Sequence, residues 1–136
     1  MSLLKKIDAT TNVITWFEIP VSDIASAKIF YETILDIEMT TRKDGENEAV
    51  FFPYDPAVVQ ATSGRVTGVL SKSSNNKPSE NGTTVYLNAS PSLDKVLGKV
   101  IAAGGKIVLP RTPIPAGFIA IILDPEGNRV GLHAES

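Results

Sequence analysis

Cysteine is absent from this chain of 136 residues, and histidine occurs once, as His133. Without cysteine there is no disulfide frame, no thiolate nucleophile and no cysteine metal site. A zinc centre draws heavily on His and Cys, so a single chain offers only His133 and carboxylates. Excess charge of one sign is also lacking. Thirteen Lys and Arg face 15 Asp and Glu, a net charge of -2, and the basic residues are scattered, which leaves no electrostatic footprint for nucleic acid. No run approaches the roughly 20 apolar residues of a membrane span. The opening Met1-Ser-Leu-Leu-Lys-Lys-Ile-Asp8 has too short an apolar stretch for a signal peptide. The expectation is a soluble, cytoplasmic protein with neither nucleic acid nor membrane as partner. With 43% hydrophobic and 21% charged residues, the composition is that of an ordinary globular domain able to bury a core.

What is present is a repeated order of elements. Val13-Ile-Thr-Trp-Phe-Glu-Ile-Pro20 is β-branched and aromatic and ends at proline, as a strand does. Ser22 or Asp23 then caps a helix from Ile24 to about Leu35, with Ile24, Ala27, Phe30, Tyr31 and Ile34 at helical spacing. Strands follow near Ile37–Arg42 and Glu48–Pro53, joined by a turn over Lys43–Asn47 that contains the hairpin pair Asp44-Gly45. A looser segment, 54–64, leads to a strand near Val66–Ser71. The polar stretch from Ser71 to Gly82 reads as a surface linker. The pattern then restarts. Thr83–Ala89 is a strand, and Ser90 or Ser92 opens a helix carrying Leu93, Val96, Leu97, Val100 and Ile101 on one face. Gly104-Gly105 stops it. Lys106–Leu109, Gly117–Leu123 and Asn128–Ala134 are three more strands, the last two joined by the turn Asp124-Pro-Glu-Gly127. Arg111-Thr-Pro-Ile-Pro-Ala-Gly117 reads as a stiff loop. The order is βαβββ, linker, βαβββ: an α+β fold within one domain, half-modules 12–71 and 82–134 with a linker over 72–82, whose sheets curl toward each other.

Strand alternation assigns faces. Val13, Phe17 and Ile19 belong under the first helix, while Ile14, Trp16 and Glu18 face away. Val85, Leu87 and Ala89 are apolar and leave Thr84, Tyr86 and Asn88 opposite. Val130, Leu132 and Ala134 leave Arg129, Gly131 and His133 opposite. The second sides carry aromatic walls and a few polar groups, the chemistry of a ligand cavity. Phe51 and Phe52 point to opposite faces, one to the core and one to the cavity, and Phe52 is counted with the ligand-binding residues.

Four segments carry a resemblance. Trp16-Phe-Glu-Ile-Pro-Val-Ser-Asp-Ile-Ala-Ser-Ala-Lys-Ile-Phe-Tyr31, Ala102-Ala-Gly-Gly-Lys-Ile-Val108, Thr112-Pro-Ile-Pro-Ala-Gly-Phe118 and Asp124-Pro-Glu-Gly-Asn128 followed by Gly131-Leu132 together resemble the vicinal oxygen chelate superfamily of glyoxalases, bleomycin resistance proteins and dioxygenases. The resemblance spans about residues 12–134. It implies a curled mixed sheet with a concave cavity, and commonly a homodimer with the cavity near or across the interface. It also implies, for metal-dependent members, one ligand on each of four strands. Carried over, these positions fall on Trp16, near Gly68, on Thr84 or Val85, and on Gly131. None is His, Asp or Glu. The superfamily's chemistry needs a divalent ion as electrophile, so no cofactor is expected.

The reading that follows is a metal-free protein binding a small, partly aromatic or apolar molecule through Trp16, Phe52, Tyr86 and Asn88. The alternative is a glyoxalase-type lyase or isomerase. It would use Glu18 as base and His133 as its acid partner, with no metal or with a divalent site shifted onto these two residues and completed by a second subunit. Glu18 could instead hydrogen-bond Tyr86 or a backbone group and orient the pocket. Extradiol dioxygenase chemistry needs two histidines and a carboxylate on iron, which one histidine per chain cannot supply. Drug sequestration of the bleomycin kind calls for an anionic cleft, and Glu18 is the only charge expected there.

Overall fold

The computed structural model describes residues 7–59 and 66–136. The opening residues 1–6 and the end of the looser segment, 60–65, lie outside the described residues. Ten elements follow in order: β1 (Trp16–Pro20), α1 (Ile24–Leu35), β2 (Thr40–Asp44), β3 (Asn47–Phe51), β4 (Thr67–Lys72), β5 (Tyr86–Asn88), α2 (Leu93–Val100), β6 (Lys106–Ile114), β7 (Gly117–Leu123) and β8 (Arg129–Ala134). They build two four-stranded sheets of the same plan, β1-β4-β3-β2 and β5-β8-β7-β6. In each, the first and last strands pair in parallel and the rest antiparallel. The fold is α+β, with two mixed sheets that do not close into a barrel.

Both helices begin as the sequence implies. The Asp23 carboxylate accepts from the Ser26 amide at 3.0 Å and caps α1, and Ser92 Oγ caps α2. All five apolar positions assigned to α1 are buried. In α2, Leu93, Val96 and Val100 are buried, but Ile101, the C-cap residue, is exposed. Val13 is likewise exposed, lying ahead of β1 rather than under α1. The looser boundaries shifted too. β2 starts at Thr40 instead of Ile37, and the β2–β3 turn tightens to Gly45-Glu46, with Gly45 at φ 63°. Most of the loop read over Arg111–Gly117 belongs to β6. That strand lies at the sheet edge, where Pro110 and Pro113 need not donate to a neighbour, and two register shifts absorb the irregularity.

α1 packs on β3, β4 and α2, and α2 packs on β6, β7 and β8. One apolar cluster, from Ile19 and Phe30 through Leu70 to Ile122 and Leu132, therefore runs through both halves. The Asp124–Asn128 turn ties the halves further. Glu126 accepts from the Ser22 and Asp23 amides at the start of α1, adding negative charge where the helix dipole favours it. Asn128 Nδ2 donates to the Pro20 carbonyl at 2.7 Å and to Asp124 Oδ2 at 3.0 Å. Buried Tyr31 donates its hydroxyl to Asp124 Oδ2 at 2.8 Å. Burial pushes the Tyr31 phenol well above the ordinary tyrosine range, and the charges of Asp124 and Glu126 add to this. The helices and this turn occupy the inner faces, so each sheet keeps one open face.

Candidate functional site

The register of the first sheet fixes what its open face carries. Glu18 on β1 pairs with Val69 on β4, Val69 with Phe51 on β3, and Phe51 with Thr40 on β2. The next row is Pro20, Ser71, Ala49 and Arg42. Cross-strand partners share a face, so Glu18, Phe51 and Arg42 look out on the same side, over a floor of small or buried residues. The cleft there has a volume of about 460 Å³, bordered by Glu18, Arg42, Phe51, Ser71 and Asn75 among others.

Aromatic rings organise this face. Trp16, 39% exposed, meets Phe51 edge-on with centroids 5.5 Å apart, and Tyr54 lies 6.0 Å beyond Phe51. The Arg42 guanidinium carbon sits 5.3 Å from the centre of the Phe51 ring, a cation–π contact. Trp16 Nε1 donates to Glu18 Oε2 at 3.4 Å. Glu18 is thus oriented by Trp16, where the sequence offered Tyr86 or a backbone group as its partner.

The remaining expected site residues lie elsewhere. On the second sheet Tyr86 pairs with Gly131 and Asn88 with His133. Tyr86, Asn88, Ser90, His133 and Glu135 border a separate concavity of about 410 Å³. His133 Nε2 lies 2.8 Å from the Ala116 carbonyl, which assigns the proton to Nε2 in the neutral ring and leaves Nδ1 as an acceptor. Asn88 Oδ1 accepts from the Ser90 amide at 2.9 Å. Within one chain, then, Glu18 and His133 border different clefts. Phe52 is corrected outright: it is 8% exposed and packs on Tyr31 and Phe17 in the core, because β3 ends at Phe51 and the Phe52 amide turns to the Gly68 carbonyl. Phe51 is the ring on the open face. Arg42 was missed altogether, since its face depends on a hairpin register that the two-residue turn sets.

The profile of the Glyoxalase/Bleomycin resistance protein/Dioxygenase superfamily matches residues 13–132. The chain belongs to this superfamily. Solved structures agree on the fold. A variant of glyoxalase I from Zea mays aligns with a TM-score of 0.67 at 20% identity, over 89% of this chain and 45% of that one, so the chain spans about half of the maize protein. A glyoxalase/bleomycin resistance protein from Albidiferax ferrireducens T118 gives 0.66 at 22% identity, covering 89% and 97% of the two chains. The trypanothione-dependent glyoxalase I of Leishmania major gives 0.65 at 18%, covering 92% and 88%. No curated protein is similar enough to this chain to count as a relative.

Membership raises the question of the superfamily's metal, one ligand per strand on four strands. The observed register moves two of the carried-over positions. Gly68 lies beside Phe17 on the helix side of the sheet, and the open-face neighbour of Trp16 is Thr67. In the second half the open-face neighbour of Gly131 is Tyr86, not Thr84 or Val85. The four positions are therefore Trp16, Thr67, Tyr86 and Gly131. A side-chain carbon added at Gly131 would overlap the Tyr86 ring, and Thr67 Oγ1 already donates to the Phe52 carbonyl at 3.1 Å. An indole, an occupied hydroxyl, a phenol and a glycine do not fit a divalent ion. Among the described residues no group of three or more His, Asp or Glu gathers to replace them.

Proposed function

We propose that this chain is a binding protein for a small, partly aromatic molecule, held on the open face of the first sheet and acting without the superfamily's metal. The observation that carries this reading is the Tyr86 ring lying over Gly131, which fills with an aromatic surface the space where a ligating side chain would stand. Trp16 and Phe51 provide stacking surface, Glu18 and Arg42 the polar contacts, and Tyr86 and Asn88 line the second concavity. Metal content after incubation with zinc, nickel, manganese and iron(II), followed by desalting, is expected to stay well below one ion per chain. A stoichiometric ion that disappears in Glu18→Ala or His133→Ala would sink the metal-free reading and restore a lyase built on those two residues.

We further propose a homodimer. Two open faces on one chain, with Trp16 and Tyr86 both exposed, allow the first sheet of one copy to face the second sheet of its partner, which would bring Glu18 and His133 to one cavity. Light scattering is expected to give twice the 14.5 kDa chain mass. A monomer at micromolar concentration would end this part of the proposal. No helix among the described residues is long and apolar enough to cross a membrane.

A further inference from the structure

The first-sheet cleft carries one charge at each end of an aromatic strip. Glu18 stands on the edge strand β1 and Arg42 on the opposite edge strand β2, with β4 and β3 between them. Three strand spacings across the sheet and one row along it separate their backbones by about 16 Å. Arg42 reaches over the Phe51 ring, and Glu18 is drawn to the Trp16 indole. Neither group has an ion-pair partner within 4.0 Å among the described residues.

The other charges nearby do not fill that role. Lys43 and Glu48 also border the cleft, but as cross-strand neighbours of opposite sign at the hairpin end they add no net charge there. Lys77 and Arg129 lie on the far flank of Glu18, where they line a smaller groove of about 180 Å³.

We infer that the ligand is a planar aromatic zwitterion, its cationic group toward Glu18 and its anionic group toward Arg42. The inference rests on the small-molecule reading above and deepens it. A ring stacks on Trp16 and Phe51 while its two ends meet opposite charges, and a guanidinium presents a fork that matches a carboxylate. A ligand with one charge satisfies one end and leaves the other solvated, so it gains less.

The test compares three probes on the full chain by Trp16 fluorescence and calorimetry: 4-(aminomethyl)benzoate, benzoate and benzylamine. Trp16 is the sole tryptophan, so its emission reports the site. The doubly charged probe is expected to bind about fivefold more tightly than either singly charged one, the scale of a solvent-accessible ion pair. Glu18→Gln should erase its advantage over benzoate, and Arg42→Gln its advantage over benzylamine. Equal affinities for all three in the native chain would overturn the zwitterion inference alone and leave an aromatic cleft. No response to any probe at millimolar concentration would overturn the small-molecule reading and the inference with it.

Discussion

Asp124→Ala is expected to lower the free energy of unfolding by about 4 kcal/mol, a large share of the roughly 5–15 kcal/mol that holds a domain together. Asp124 is 3% exposed and its oxygens are fully used. Oδ1 accepts from the amides of Glu126 and Asn128 at 2.9 and 3.0 Å, and Oδ2 accepts from Tyr31 Oη and Asn128 Nδ2 at 2.8 and 3.0 Å. Alanine strands four donors, two of them on the side chains of the buried residues Tyr31 and Asn128. The urea midpoint should fall with little change in slope. Tyr31→Phe removes one of the four bonds and should lose only about 1 kcal/mol. It also separates the charge effect. The folded phenol holds its proton more tightly than the unfolded one, so its contribution is complete below the unfolded value of about 10 and fades as pH rises above it. Stability of Tyr31→Phe should therefore decline less steeply above that pH than stability of the native chain. Parallel declines would show that Tyr31 titrates alike in both states.

Gly117→Ala is the second large effect, about 3 kcal/mol. Gly117 opens β7 at φ 117°, a conformation that L residues rarely adopt, and an added Cβ would overlap the Ala134 carbonyl and approach Glu135 Cα to 2.8 Å. Those are backbone atoms of the neighbouring strand and cannot swing aside. β7 must move off β8, and Ala116, which receives His133 Nε2, moves with it. Gly127→Ala is the matched control: its φ is 86° but nothing lies within 4 Å of an added Cβ, so the loss should be about 1 kcal/mol from backbone strain alone. The single histidine gives one imidazole resonance set. It should shift in Gly117→Ala and stay in place in Gly127→Ala. Similar stability losses in both variants would mean that the Gly117 backbone relaxes freely.

Much of this fold was legible because alternation and helical spacing depend only on neighbours in sequence. Ile24, Ala27, Phe30, Tyr31 and Ile34 could be placed inside from their spacing, as could Leu87, Leu132 and Ala134. Where tertiary context decides, the reading slipped. Prolines 110 and 113 argue against a strand unless it lies at an edge, and edge position comes from the sheet order. Phe51 and Phe52 could not be ranked because their faces depend on where β3 ends. Arg42 enters the cleft through a hairpin register, and Glu18 and His133 part because periodicity is silent on how two sheets are set. The Asp124–Asn128 turn was readable as a turn, while its bonds to residues about a hundred positions earlier were not.

That last reach has a consequence for biosynthesis. α1 leaves the ribosome well before Glu126, Asp124 and Asn128, which hold its start and Tyr31 and are made about a hundred residues later. A nascent chain ending at Gly104 has β1 through α2 yet lacks the partner of the Tyr31 hydroxyl and the strands that cover the second half of the core. Closing contacts across so long a loop is slow and comes late. The first half therefore waits, partly assembled, until the β7–β8 hairpin and its Asp124–Asn128 turn have emerged.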